Sequence, residues 1–138
     1  MYRKTLMALG VAALLSGPAF AAEDVSKVPP PAPYKKVSEL VPLPDFLPGI
    51  GTLYVKPNTL PAGPFLAYDR QGKLVSTIFM IPIKDFDAKM NFKDLAAPGG
   101  TVDHVSLEFN AGHPGVPEPH YHIVLWHVPK TQERLVSK

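Results

Sequence analysis

All five histidines of this 138-residue chain fall in its last 35 residues: His104, His113, His120, His122 and His127. Two of them, in Pro119-His120-Tyr121-His122, are separated by a single residue. On a β-strand, side chains two apart share a face with their alpha-carbons roughly 6.5–7 Å from one another. Two imidazoles placed that way can converge on one ion above the strand. Imidazole nitrogen suits zinc, copper(II), nickel and iron, and a third ligand must then come from elsewhere in the chain.

Strand pairing selects the candidates. If the last two strands form a hairpin, Glu108 lies near Tyr121 or His122, depending on register. His104 then sits beside Leu125 or Trp126, roughly 10 Å or more along the sheet, and His127 points to the opposite face. His113 and Glu118 ride on the connecting loop. The expected metal set is therefore His113, His120 and His122, with Glu108 and Glu118 as further ligand candidates and His104 and His127 as structural residues. Against this stands a plainer possibility, in which such rings pack or hydrogen-bond with no ion. The loop Gly112-His-Pro-Gly-Val-Pro-Glu-Pro119 carries three prolines. That stiffness either positions a ligand or closes off a sheet end.

Composition removes most other chemistry. The chain has no Cys, which excludes disulfides, thiolate zinc sites, iron–sulfur clusters and a cysteine nucleophile. Ser76, Ser106 and Ser137 lack the context of a nucleophile elbow, and Gly99-Gly100 is a turn rather than a phosphate cradle. Basic and acidic residues number 14 and 12, without basic clusters, so nucleic acid is not an expected partner.

The elements that must position the histidines are strands. Period-two patterning and turn residues predict strands over 52–56, 65–69, 73–83, 101–109 and 120–128, the second and third joined by a turn at Arg70-Gln71-Gly72. In the third, Leu74, Ile78 and Met80 should face one way, with Val75, Phe79 and Ile81 facing the other. Both faces are apolar, as expected of a central strand ending where Pro82 interrupts it. Short helical turns are expected at 85–90, 92–97 and 131–138, the last capped by Thr131. The fold class is thus all-β with minor helix: a small antiparallel barrel or sandwich of about five strands.

The N-terminal part is organised differently. Met1-Tyr-Arg-Lys4 supplies a charged start, residues 6–15 an apolar run, and Ala19-Phe20-Ala21 a small-residue cleavage site, so residues 1–21 are expected to be a signal peptide. A ten-residue apolar run is half of the roughly 20 that a membrane-spanning helix needs. The mature chain is expected in the periplasm or secreted, with no membrane span. Its formal charge is zero once Arg3 and Lys4 are removed, which leaves 12 basic and 12 acidic residues. Ten prolines occur between Val28 and Pro64. Residues 22–36 are expected to form a proline-rich disordered linker, and 37–138 a single β-rich domain. Within that domain, 37–50 should be an extended arm laying Leu43, Phe46, Leu47 and Ile50 across the sheet; a disordered proline-rich ligand is the alternative.

Two resemblances can be set beside these residues. Asp103-His-Val-Ser-Leu-Glu-Phe-Asn110, Gly112-His-Pro114 and Pro119-His-Tyr-His122 resemble a small exported bacterial domain family of unknown function, the Thermus-type or TTHB-like family. Its signature is a Gly-His-x-Pro loop followed by Pro-His-Phe-Asp-Phe-His-Phe. The resemblance covers most of 49–128 and implies a mainly β fold that assembles into a ring-like homo-oligomer. His113 and His120 match the family's histidines. His122 stands where the family has Asp and Val124 where it has its last His, so His122 would replace that histidine from two residues earlier. The second, weaker resemblance is to cupins, whose first motif has a glycine before His-x-His and a glutamate after it. Here Gly115 precedes the pair at short spacing and residues 123–128 contain no acid.

These readings imply an exported β module that binds a divalent transition metal, zinc or copper, and self-assembles. The alternative they leave is a cupin-like small metalloenzyme with an open coordination position.

Overall fold

The computed structural model describes Gly17 and residues 23–138. Apart from Gly17, the expected signal peptide lies outside the described residues. Six strands form: β1 (Lys35–Lys36), β2 (Thr52–Val55), β3 (Phe65–Tyr68), β4 (Leu74–Pro82), β5 (His104–Asn110) and β6 (His120–Trp126). They pair antiparallel in one sheet of order β1-β2-β3-β4-β6-β5. The all-β class holds. The layer over the sheet is made by irregular chain rather than by a second sheet.

Turn chemistry sets the β3–β4 hairpin. The buried Asp69 carboxylate accepts from the backbone N–H of Gln71 and of Lys73, both at 2.9 Å, and Gly72 takes φ 78°. An Asx turn followed by a left-handed glycine reverses the chain without leaving those amides unpaired. β4, central as its two apolar faces require, is buried along all nine residues. One face joins Val55, Phe65, Ile78, Met80, Val124 and Trp126; the other joins Val25, Leu66, Tyr68 and Leu74. Leu74 and Val75 thus exchange the faces expected from alternation. A register shift at Ala67/Tyr68 adds one residue to β4 there, and the period of two restarts beyond it.

The arm packs on the first of these faces, with Val41, Leu43, Phe46, Leu47 and Ile50 against the core. It is pinned by the Gly49 N–H donating to the Val136 carbonyl at 2.6 Å and by the Arg70 guanidinium stacked 3.8 Å from the Phe46 ring centroid. The disordered linker expected at 22–36 requires correction: residues 23–36 lie on the sheet. Val25 is 3% exposed, its carbonyl accepts from the buried Tyr68 hydroxyl at 2.7 Å, and Lys27 bridges to Lys73. Prolines remove donors but do not stop their flanks from packing, and Val25 and Tyr34 on either side of them lie against the second face of the sheet.

The helical turns also differ in part. A five-residue helix, α1, occupies Ile83–Asp87, and a 3-10 helix Lys130–Val136 closes the chain with Pro129, not Thr131, at its N-cap. Residues 92–97 form no helix, and Asp94 there takes φ 60°. Among the described residues no helix is long and apolar enough to cross a membrane.

One buried group invites a direct test. The Ser76 hydroxyl is fully buried without a hydrogen-bond partner among the described residues. Such a group carries a desolvation cost with no return, so Ser76→Ala should stabilise the protein by about 1 kcal/mol in urea unfolding. A destabilised variant would mean that the hydroxyl has a partner.

Candidate metal centre

Alternation along β6 buries His120, His122, Val124 and Trp126 and leaves Tyr121, Ile123 and Leu125 half-buried. The two histidines therefore continue the core stripe at its end, opposite Pro82 and Met80 of β4. The turn His113-Pro114-Gly115-Val116 delivers the third. The N–H of each terminal residue donates to the other's carbonyl at 3.0 Å, with Pro114 and Gly115 between them and Gly115 at φ 92°. Proline then glycine at these central positions is the preference of a type II turn. Val116, buried in the core, anchors its far side.

The three rings meet at one point. His120 Nε2 lies 3.2 Å from His113 Nε2 and 2.9 Å from His122 Nε2. One ligand atom from each histidine falls within 4.8 Å of the other two. In a tetrahedral zinc site with bonds of 2.0–2.1 Å, ligand nitrogens stand about 3.3 Å apart. The observed separations are close to that value.

Backbone carbonyls decide which nitrogen faces inward. His120 Nδ1 is 2.7 Å from the Glu118 carbonyl and His113 Nδ1 is 3.0 Å from the Pro114 carbonyl. A carbonyl only accepts, so each Nδ1 carries a proton, and the neutral form of each ring turns an unprotonated Nε2 inward. Two lone pairs then face each other with no hydrogen between them, an arrangement that a cation relieves. Burial, reinforced by the neighbouring His120 and His113, pushes the His122 pKa down to about 4, so this ring stays neutral and able to ligate at physiological pH.

The other expected ligands are not brought in. Glu108 pairs with His122 in register, yet its side chain lies exposed on the edge strand. The Glu118 carboxylate instead pairs with Lys84 at 2.6 Å, although its backbone carbonyl orients His120. His104 and His127 lie outside the cluster, as hairpin geometry requires. His104 stacks on Trp126 and bonds to Glu133 and Asp103, whose carboxylates raise its pKa. His127 bonds to the Thr77 hydroxyl and to the Thr101 carbonyl.

A cavity of about 260 Å³ lies under the arm, with His113, His122 and Asn110 in a wall that is otherwise mostly aliphatic. Asn110 and the arm residues were not singled out by spacing. The signal for Asn110 is its place opposite His120 once the hairpin register is known.

Comparison with known proteins adds a relationship without an activity. A family model described as "TTHB210-like: Hypothetical protein TTHB210" matches residues 69–109, short of all three clustered histidines. The crystal structure of hypothetical protein TTHB210 from Thermus thermophilus superposes with a TM-score of 0.62 at 48% identity, over 69% of this chain and 93% of that one. No curated protein matches the chain.

Proposed function

This chain belongs to the TTHB210-like family, and from that premise we propose that it is an exported, non-catalytic β module holding one divalent transition metal ion through His113, His120 and His122. The observation that carries the reading is the convergence of three Nε2 atoms, two of them with their proton committed to a backbone carbonyl on the far side of the ring. Export is supported by the charged start, apolar run and Ala-x-Ala sequence of residues 1–21. Isothermal titration of zinc and of copper(II) should show one site in the wild type and none in His120→Ala/His122→Ala. Equal affinity in the two proteins would eliminate the reading.

Self-assembly forms the second part of the proposal. On the edge strand β5, Val105, Leu107 and Phe109 are 51%, 67% and 59% exposed, beside half-buried Leu125, Ile123 and Tyr121. An apolar face on an unpaired edge is a surface that a second copy can cover. Light scattering should give a mass above the monomer for the wild type and the monomer mass for Leu107→Lys/Phe109→Lys. A monomeric wild type at high concentration removes this part of the proposal.

A cupin-like enzyme is the competing reading, favoured by the cavity against His113 and His122. Among the described residues no carboxylate joins the three imidazoles, and the non-catalytic reading is the one we adopt.

A further inference from the structure

We propose that the cavity under the arm binds an aliphatic monocarboxylate, its tail among the arm side chains and its carboxylate on the metal ion held by the three histidines. The inference rests on the metal reading above. The polar side chains of the cavity wall are those of His113, His122 and Asn110, while Val41, Leu43, Leu47, Leu53 and Phe65 are among its apolar residues. Such a lining matches a ligand with a single polar head and a hydrocarbon body.

Size and charge narrow the choice. At about 30 Å³ for each group the size of a water molecule, a cavity of about 260 Å³ accepts on the order of nine non-hydrogen atoms. That fits a chain near eight carbons. Three imidazole ligands leave the full charge of a divalent ion uncompensated in a largely buried site, because among the described residues no carboxylate belongs to the cluster. An anionic head lowers that charge, and an ion with three protein ligands has a coordination position to offer it. Without the ion, the same head would face a mostly apolar wall whose polar side chains are only those of His113, His122 and Asn110, a costly burial of charge. Binding should therefore be weaker without the metal.

Sodium octanoate is the probe, titrated calorimetrically into the full mature chain loaded with zinc. We expect one site, at least tenfold weaker binding in protein stripped of zinc, and acetate weaker than octanoate by roughly 1,000-fold, since each of the six further buried methylenes contributes about three- to fourfold. Leu43→Trp, which fills the cavity from the half-buried arm, should abolish octanoate binding while zinc binding, measured separately, stays intact; Leu47→Trp serves as a second blocking variant. Zinc binding without octanoate binding overturns this inference and leaves the metal reading standing. Octanoate binding that is equal with and without zinc overturns the placement of the head group. Absence of zinc binding overturns both.

Discussion

Zinc at a thousandfold excess over its dissociation constant is expected to raise the stability of the wild-type protein by about 4 kcal/mol. In a domain of this size that corresponds to roughly 15 °C in Tm. The physical reason is that the three nitrogens converge only in the folded state: His113 arrives by a turn, His120 and His122 by a strand, and an unfolded chain presents no such cluster. Scanning calorimetry with zinc and then with a chelator should show the rise and its reversal, and His120→Ala/His122→Ala should show neither. A wild-type Tm that does not move under excess zinc would contradict the site.

Acid should act on the metal-free protein through His122. Its pKa is about 4 in the folded chain against 6.5 when unfolded, because burial and the two neighbouring imidazoles disfavour its charged form. Between those values the unfolded chain binds the extra proton, so stability falls as pH falls. The contribution is fully present above 6.5, is lost progressively on the way down to 4, and amounts to about 3 kcal/mol. His104 works in the other direction. Glu133 and Asp103 raise its pKa, so its contribution is present below 6.5 and is lost as pH rises through the higher folded value. Urea unfolding of His122→Ala against pH should lack the wild-type decline from 6.5 to 4; an unchanged decline would place its origin elsewhere.

Gly112→Ala is expected to weaken zinc binding by roughly 10- to 100-fold. Gly112 takes φ 128°, which an L side chain rarely adopts, and a Cβ there would stand 2.3 Å from the Pro117 carbonyl oxygen. That oxygen belongs to backbone and cannot swing aside. The loop must rearrange, and it carries His113 at the next position. A local strain of about 1–3 kcal/mol, drawn from the geometry that aligns the third ligand, sets the range of the loss. Gly100→Ala provides the comparison: φ is 83° but nothing lies within 4 Å of the added carbon, and the position neighbours His127, which is not one of the three clustered histidines. Its zinc affinity should match the wild type. Equal affinities for Gly112→Ala and Gly100→Ala would show that the loop does not align the site.

Much of the site was legible in one dimension because it depends on local geometry. The period of two places His120 and His122 on one face whatever surrounds the strand. The hairpin of β5 and β6 then orders the remaining histidines, setting His104 opposite Trp126 and leaving His127 on the other face of the sheet. The turn residues Pro114 and Gly115 mark where the loop doubles back. The five longer strands follow from alternation and turn chemistry, and with them the all-β class.

What alternation cannot carry is any feature set by contacts between distant segments. A single extra residue opposite Ala67/Tyr68 exchanges Leu74 and Val75. Residues 23–36 look unable to fold by themselves, yet Val25 finds the hydroxyl of Tyr68 across 43 positions of chain. Glu118 has the chemistry of a ligand and the position of one; Lys84 at the start of α1 takes its carboxylate, while its carbonyl orients His120.

By itself, then, the order of residues determined the strands, the shared face of the histidine pair and the exclusion of thiol chemistry, since each follows from side-chain identity and backbone period. Only the tertiary structure decided that neither Glu108 nor Glu118 joins the expected His113, His120 and His122, that His122 is held neutral, and that an apolar cavity lies alongside. Those outcomes depend on desolvation and on the meeting of segments remote in sequence, and neither is encoded at any one position.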